Sequence, residues 1–187
     1  MKNVRDAFDK VVIITGSSRG IGFHTAELFL EHGAKVALNG RNPERLASAQ
    51  KKLDPTGEKT LTFAGDMSNE DDAAGLMKAA IDTWGRIDIL ICNAGVMMRG
   101  RFSDLSGEVV HSVINANIVG VALPIIKALP EITRQKGTIE IISSLAGVRG
   151  MPHISLYCGS KMALTAITEA LWIEQAGSGV HVGILYV

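Results

Sequence analysis

Short apolar runs alternate with longer amphipathic stretches along the whole chain. Runs at 11–14, 35–38, 60–63, 87–91, 138–142 and 180–187 predict six strands. Several are apolar throughout rather than alternating, as strands covered on both faces of a parallel sheet are. Between them, helical spacing of apolar positions predicts helices over 21–32, 43–53, 69–84, 107–134 and 156–176. Local signals mark their ends. Asn42 followed by Pro43 reads as a cap and a first helical residue. Ser68 with Asp71 reads as a capping box, and Gly33 is placed to stop the first helix. There is no linker, repeat or low-complexity tract. The alternation therefore predicts one domain over residues 1–187, an α/β fold with a doubly wound parallel sheet.

Composition narrows the function classes. The chain has 187 residues, 47% hydrophobic and 20% charged, which suits a globular domain with a substantial core. Nineteen Lys and Arg balance nineteen Asp and Glu, so charge recommends neither nucleic acid nor an anionic membrane as partner. Cys92 and Cys158 are too few for a disulfide framework, and no Cys or His spacing predicts a metal site. The polar, mixed-charge start does not read as a signal peptide. The longest apolar candidate for a membrane span, 118–129, is interrupted by Pro124 and Lys127. The expectation is a soluble, cytoplasmic protein.

The most informative chemistry is Tyr157-Cys158-Gly159-Ser160-Lys161, thirteen residues after Ser144. Positions i and i+4 share a helix face. An unperturbed phenol titrates near pH ~10. An ammonium about 5 Å away, at an effective dielectric of about 20, favours phenolate by roughly 3 kcal/mol, or about 2.4 pK units. That would bring the tyrosine into the useful range for proton transfer. Cys158 beside it reads as a small buried filler rather than a nucleophile.

A second constellation follows the first predicted strand: Thr15-Gly16-Ser17-Ser18-Arg19-Gly20-Ile21-Gly22. Glycines there permit a tight turn and close approach to a pyrophosphate, and the helix N-terminus adds free N–H donors. After the second strand, a ribose 2′-hydroxyl usually meets an acidic residue. This chain offers Asn39-Gly40-Arg41-Asn42 instead. Arg41, with Arg19 in the glycine turn, would welcome a 2′-phosphate, so NADP(H) is favoured over NAD(H).

These motifs together resemble the short-chain dehydrogenase/reductase family, from about Val11 to the last residue. The family's Thr-Gly-x-x-x-Gly-x-Gly falls on Thr15, Gly16, Gly20 and Gly22. Its Asn-Asn-Ala-Gly appears as Cys92-Asn93-Ala94-Gly95. Its catalytic asparagine falls on Asn117, and its Ser and Tyr-x-x-x-Lys fall on Ser144, Tyr157 and Lys161. The resemblance implies a Rossmann-like sheet and an NAD(P)-dependent oxidoreductase that interconverts a carbonyl and an alcohol. It implies Tyr157 as general acid/base, and Lys161 as the cation that depresses its pKa and holds ribose hydroxyls. Ser144 would polarise the substrate oxygen, and Asn117 would hold a water linking Lys161 to solvent. Asp66 and Met67 would meet the adenine, while Asn93, Ala94 and Gly95 would shape the cofactor pocket. Ser143 and Asn115 compete with Ser144 and Asn117; spacing and the following Ile-Val-Gly favour the latter pair.

Other residues bear on substrate and assembly. Met97, Met98, Leu145 and Met151 could line an apolar substrate pocket, and Arg99 and Arg101 could meet an acidic substrate; packing and a solvated face are the plainer readings. His153 could touch substrate from its loop. By resemblance, the two long helices form a homodimer interface. The family's substrate loop and seventh strand do not follow strand six, so the expectation is a sheet truncated after the sixth strand. The competing function is a non-catalytic dinucleotide-binding or scaffold protein; the retained Tyr157 and Lys161 speak against it.

Overall fold

Residues 7–187 are described by the computed structural model. The elements run β1 (Val11–Ile14), α1 (Gly20–Glu31), β2 (Lys35–Gly40), α2 (Pro43–Leu53), β3 (Thr60–Ala64), α3 (Glu70–Trp84) and β4 (Ile89–Cys92), then α4 (Gly107–Ile114), α5 (Gly120–Gln135), β5 (Thr138–Ser143), α6 (Ser155–Glu174) and β6 (His181–Tyr186). The six strands form one sheet in the order β3-β2-β1-β4-β5-β6, every pair parallel. This is the Rossmann-like, doubly wound α/β arrangement that the apolar runs predict.

Those runs are apolar throughout because both sheet faces are covered. Ile13, Leu90, Ile139 and Ile141 pack against Leu76 of α3, Val121 and Ile132 of α5, and Leu164 of α6. On the other face, Val12, Ile14, Val36 and Leu38 pack against Ala26 and Phe29 of α1 and Leu46 of α2. Each large apolar side chain so buried stabilises the fold by roughly 1.5–3 kcal/mol. By length and composition, the helical run Gly107–Gln135 could cross a membrane. Within that run, Val121, Ile125, Ala128 and Ile132 are buried in the core.

Four local expectations are corrected. The predicted helix 107–134 is broken by a π-helical turn, Asn115–Val119, which separates α4 from α5. The apolar spacing continues across the wide turn, so periodicity alone does not reveal it. The cap of α3 is Asn69, whose side chain accepts from the N–H groups of Asp71 and Asp72, rather than Ser68. The Ser68 hydroxyl is instead donated to Asp66 Oδ1 at 2.8 Å. The fourth strand begins at Ile89 rather than 87, because Asp88 is a clamp and not a ladder residue. Its buried carboxylate accepts from Val11 N at 3.0 Å, Lys10 Nζ at 3.1 Å and the Arg86 guanidinium at 2.6 and 2.8 Å. The sixth strand is also shorter at both ends than 180–187.

Candidate active site

The chain reverses direction across the sheet between β1 and β4, and a crevice opens beyond their C-terminal ends, where such sheets bind ligands. The loop after β1 is held hard against the loop after β4. Gly16 has φ +65°, and a Cβ there would lie 2.8 Å from Ala94 Cα. Asn93 Nδ2 donates to Thr15 O at 2.9 Å and Gly16 O at 3.0 Å. The Thr15 hydroxyl oxygen accepts from the N–H groups of Asn93 and Ala94, each at 3.0 Å. Gly22 lies beneath: a Cβ on it would come within 2.5 Å of Asn93 Nδ2.

Helix α1 begins at this turn without a side-chain cap and without an acidic residue in its first turn. Asn42 caps α2 and Asn69 caps α3, and both helices have acids in the first turn. The open donors and positive potential at the start of α1 suit an anion. The crevice has a volume of about 580 Å³. Its walls include Gly16, Ser18, Arg19, Gly20 and Ile21 from the turn, Asp66 and Met67 beyond β3, and Asn93, Ala94 and Gly95 beyond β4. These dimensions and donors fit an extended dinucleotide.

Two residues of this wall are not singled out by the sequence. Asn39, buried at the end of β2, accepts from Gly16 N at 3.3 Å and donates to Phe63 O and Gly65 O at 3.2 Å each. It locks the loops after β1, β2 and β3 to one another. Arg45, in the first turn of α2, lines the crevice with Arg41 and Arg19. Its spacing of four from Arg41 is the signal that could have found it. Arg41 Nη1 stands 3.7 Å from Asp66 Oδ2. Burial would raise the Asp66 pKa, but hydrogen bonds from Ser68 N and Oγ, with the charge of Arg41, outweigh it and hold the carboxyl below its usual range.

Beyond the Gly95 wall stand the residues of the proposed chemistry. A Cβ on Gly95 would lie 3.6 Å from Lys161 Nζ and 3.1 Å from Asn117 Oδ1. Tyr157 and Lys161 are not themselves in the crevice wall. Lys161 is only 4% exposed, and its ammonium donates to Ile142 O at 2.8 Å. It lies 5.9 Å from the centroid of the half-buried Tyr157 ring. Burial pushes the Lys161 pKa down from its usual value.

Asn117, fully buried in the π-turn, accepts from Val96 N at 2.8 Å and donates to Val96 O and Ser160 Oγ at 2.9 Å each. Ser160, missed by the sequence reading, passes its own hydroxyl to Tyr157 O at 2.7 Å. Ser143 is buried with its hydroxyl directed to Lys161 O at 3.4 Å. Ser144 is half-buried, and its oxygen accepts only from Ala146 N among the described residues, so its proton is free to be donated. The two serines therefore differ in burial and pairing. Cys158 is buried, and burial pushes the Cys92 thiol up to about 12, so neither is built as a nucleophile. His153 is exposed in the loop before α6, at φ +65°.

Comparison with known proteins adds an independent line. A family model described as short chain dehydrogenase matches residues 10–186. An uncharacterized oxidoreductase of Staphylococcus saprophyticus is 39% identical over 189 residues, covering 99% of this chain and 74% of that protein. Glucose 1-dehydrogenase of Gluconobacter oxydans is 37% identical, over 92% of this chain and 66% of its own length. A short chain dehydrogenase/reductase from Burkholderia phymatum, solved in complex with NAD, superposes with a TM-score of 0.93 at 29% identity, covering 97% of this chain and 66% of that one. The chain thus spans about two thirds to three quarters of the length of these relatives.

Proposed function

This chain belongs to the short-chain dehydrogenase family, and on that premise we propose that it is an NADP(H)-dependent oxidoreductase interconverting a carbonyl and an alcohol. The observation that carries the reading is the buried Lys161 ammonium, tied to Ile142 O at 2.8 Å and standing 5.9 Å from the Tyr157 ring. A nicotinamide dinucleotide, when bound, supplies or accepts the hydride. The proton belongs to the protein. In reduction the Tyr157 hydroxyl gives it to the substrate oxygen, and in oxidation the tyrosine takes it back. Lys161 stabilises the negative charge that develops on the phenol oxygen, and its low exposure strengthens that effect. The Ser144 hydroxyl donates to the substrate oxygen and orients it. Asn117 fixes the Val96 backbone and, through Ser160, the first turns of α6; its proposed further role is to hold a water that reloads Lys161.

The cofactor would lie with its pyrophosphate at Ser18, Gly20 and Ile21 over the open end of α1. Asp66 and Met67 would take the adenine. Support for NADP(H) comes from Arg19, Arg41 and Arg45, which all line the crevice, with Asp66 as its acidic wall residue. Guanidinium groups there favour a 2′-phosphate. Exposed Ile126, Met162, Trp172 and Ile173 on α5 and α6 support a homodimer through those helices.

The test is a fluorescence titration of the purified chain with NADPH and NADH, followed by assay against a panel of carbonyl compounds. Tighter NADPH binding and NADPH-dependent carbonyl reduction are expected. Binding without turnover of any panel member would contradict the oxidoreductase reading.

A further inference from the structure

The segment that leads from Ser144 to Tyr157 and a loop hydrogen-bonded to it carry an unusual surface. One follows β4 and the other follows β5, and Gly100 N donates to His153 O across them at 2.8 Å. On these two loops, apolar side chains face water. Phe102 is 71% exposed and Leu145 67%, and Met97 and Val148 are exposed as well. Leu145 directly follows Ser144 in the chain. Large apolar groups exposed on two hydrogen-bonded loops offer a surface for a mostly apolar ligand.

The same loops are cationic in a chain of zero formal charge. Arg99 and Arg101 flank Gly100, and Arg149 lies four residues before His153. The other loop charge is Asp104, which accepts from Ser103 Oγ at 2.8 Å. None of the three arginines enters an ion pair among the described residues, whereas Arg41, Arg86 and Arg134 each do. Unpaired guanidinium groups on the same loops as exposed apolar side chains are suited to an anion on a mostly hydrocarbon molecule.

We propose that the substrate is an amphipathic carbonyl compound, with an apolar body and an anionic group, carboxylate or phosphate, that these arginines hold. The apolar residues bind the body, Ser144 and Tyr157 meet the carbonyl, and Arg99, Arg101 and Arg149 select the charge. This rests on the oxidoreductase reading above and names the substrate class of the same site.

The experiment compares 10-oxodecanoate, its methyl ester and 10-oxodecyl phosphate as substrates with NADPH. In parallel, calorimetry with NADPH present compares binding of decanoate, decyl phosphate and 1-decanol. The anions should show at least tenfold higher kcat/KM and at least tenfold tighter binding than the neutral compounds. Arg99→Gln with Arg101→Gln and Arg149→Gln should bring the ratios to within about twofold, and added salt should do so in part. These surface changes leave the core untouched, so folding is preserved. Which anion wins separates a carboxylate from a phosphate substrate. Turnover of the ester at a kcat/KM equal to or above that of the acid overturns this proposal and leaves the oxidoreductase reading standing. Tight anion binding without turnover of any carbonyl compound sustains the anion site and strikes the oxidoreductase reading.

Discussion

Asn117 donates its side-chain amide to Ser160 Oγ at 2.9 Å, linking a π-turn to the residue just before Lys161. The same side chain is paired at both polar atoms with Val96 of the loop after β4. One buried amide therefore registers three segments: the π-turn, the loop after β4 and the start of α6. π-turns are rare and cluster at functional sites. Here the wide turn brings Asn117 inward.

Asn117→Ala should leave Val96 N without its acceptor, and Val96 O and Ser160 Oγ without the amide donor. The expected loss of stability is about 1–3 kcal/mol by chemical denaturation. Turnover should fall more steeply than cofactor affinity, since the crevice walls at Gly16 and Asp66 do not depend on this amide. Equal losses of binding and turnover would count against a positioning role.

Arg41→Ala should weaken NADPH far more than NADH, by roughly tenfold or more, because a charge-assisted contact to phosphate contributes about 1.5–3 kcal/mol. Arg45→Ala should act in the same direction. Fluorescence titration of both cofactors measures the ratio. Equal losses for NADPH and NADH would remove the 2′-phosphate assignment.

Glu140 sits on β5, 6% exposed, with Oε2 unpartnered among the described residues, and burial raises its pKa above the usual 4.5. The folded state thus prefers the protonated acid. Its contribution is fully present below about pH 4.5 and is lost as pH rises through the folded pKa. Glu140→Gln should therefore stabilise the protein at pH 7 by about 1–2 kcal/mol and by nothing measurable near pH 4. Denaturation midpoints at the two pH values test this; an equal effect at both would show that the charge is not the cause.

Asp88 shows the opposite sign. Burial alone would raise its pKa, but hydrogen bonds from Arg86, Val11 and Lys10 outweigh that and hold it below the usual 3.8. Its stabilisation is present above that value and is lost as pH falls through the folded pKa. Asp88→Asn should cost about 1–3 kcal/mol at neutral pH, because the buried carboxylate that accepts from Val11 N is lost, while Arg86 and Lys10, each about two-fifths exposed, turn to water. Thermal unfolding at pH 7 and at low pH should show the gap closing on acidification.

Much of this was legible in the sequence, for physical reasons. Strands buried on both faces must be apolar throughout, so β1 and β5 announce themselves. A tight turn before a helix needs Gly16, Gly20 and Gly22, and a shared helix face needs the spacing of Tyr157 and Lys161. What escaped was set by tertiary contact. The π-turn at Asn115–Val119 leaves the apolar period unbroken. Asn39 and Ser160 act through hydrogen bonds to segments distant in the fold or to backbone atoms, which residue type alone does not reveal. Asp88 interrupts an apolar run only because charged neighbours surround it. The choice of Asn69 over Ser68 as cap turned on Asp66 capturing the serine hydroxyl.

The most direct test is Tyr157→Phe, assayed for NADPH-dependent carbonyl reduction beside cofactor titration. Removing one hydroxyl should lower kcat/KM by at least about a thousandfold, the loss of a general acid, and leave the NADPH Kd within about twofold. A phenylalanine variant that still reduces carbonyl substrates at a rate near that of the parent would contradict the account.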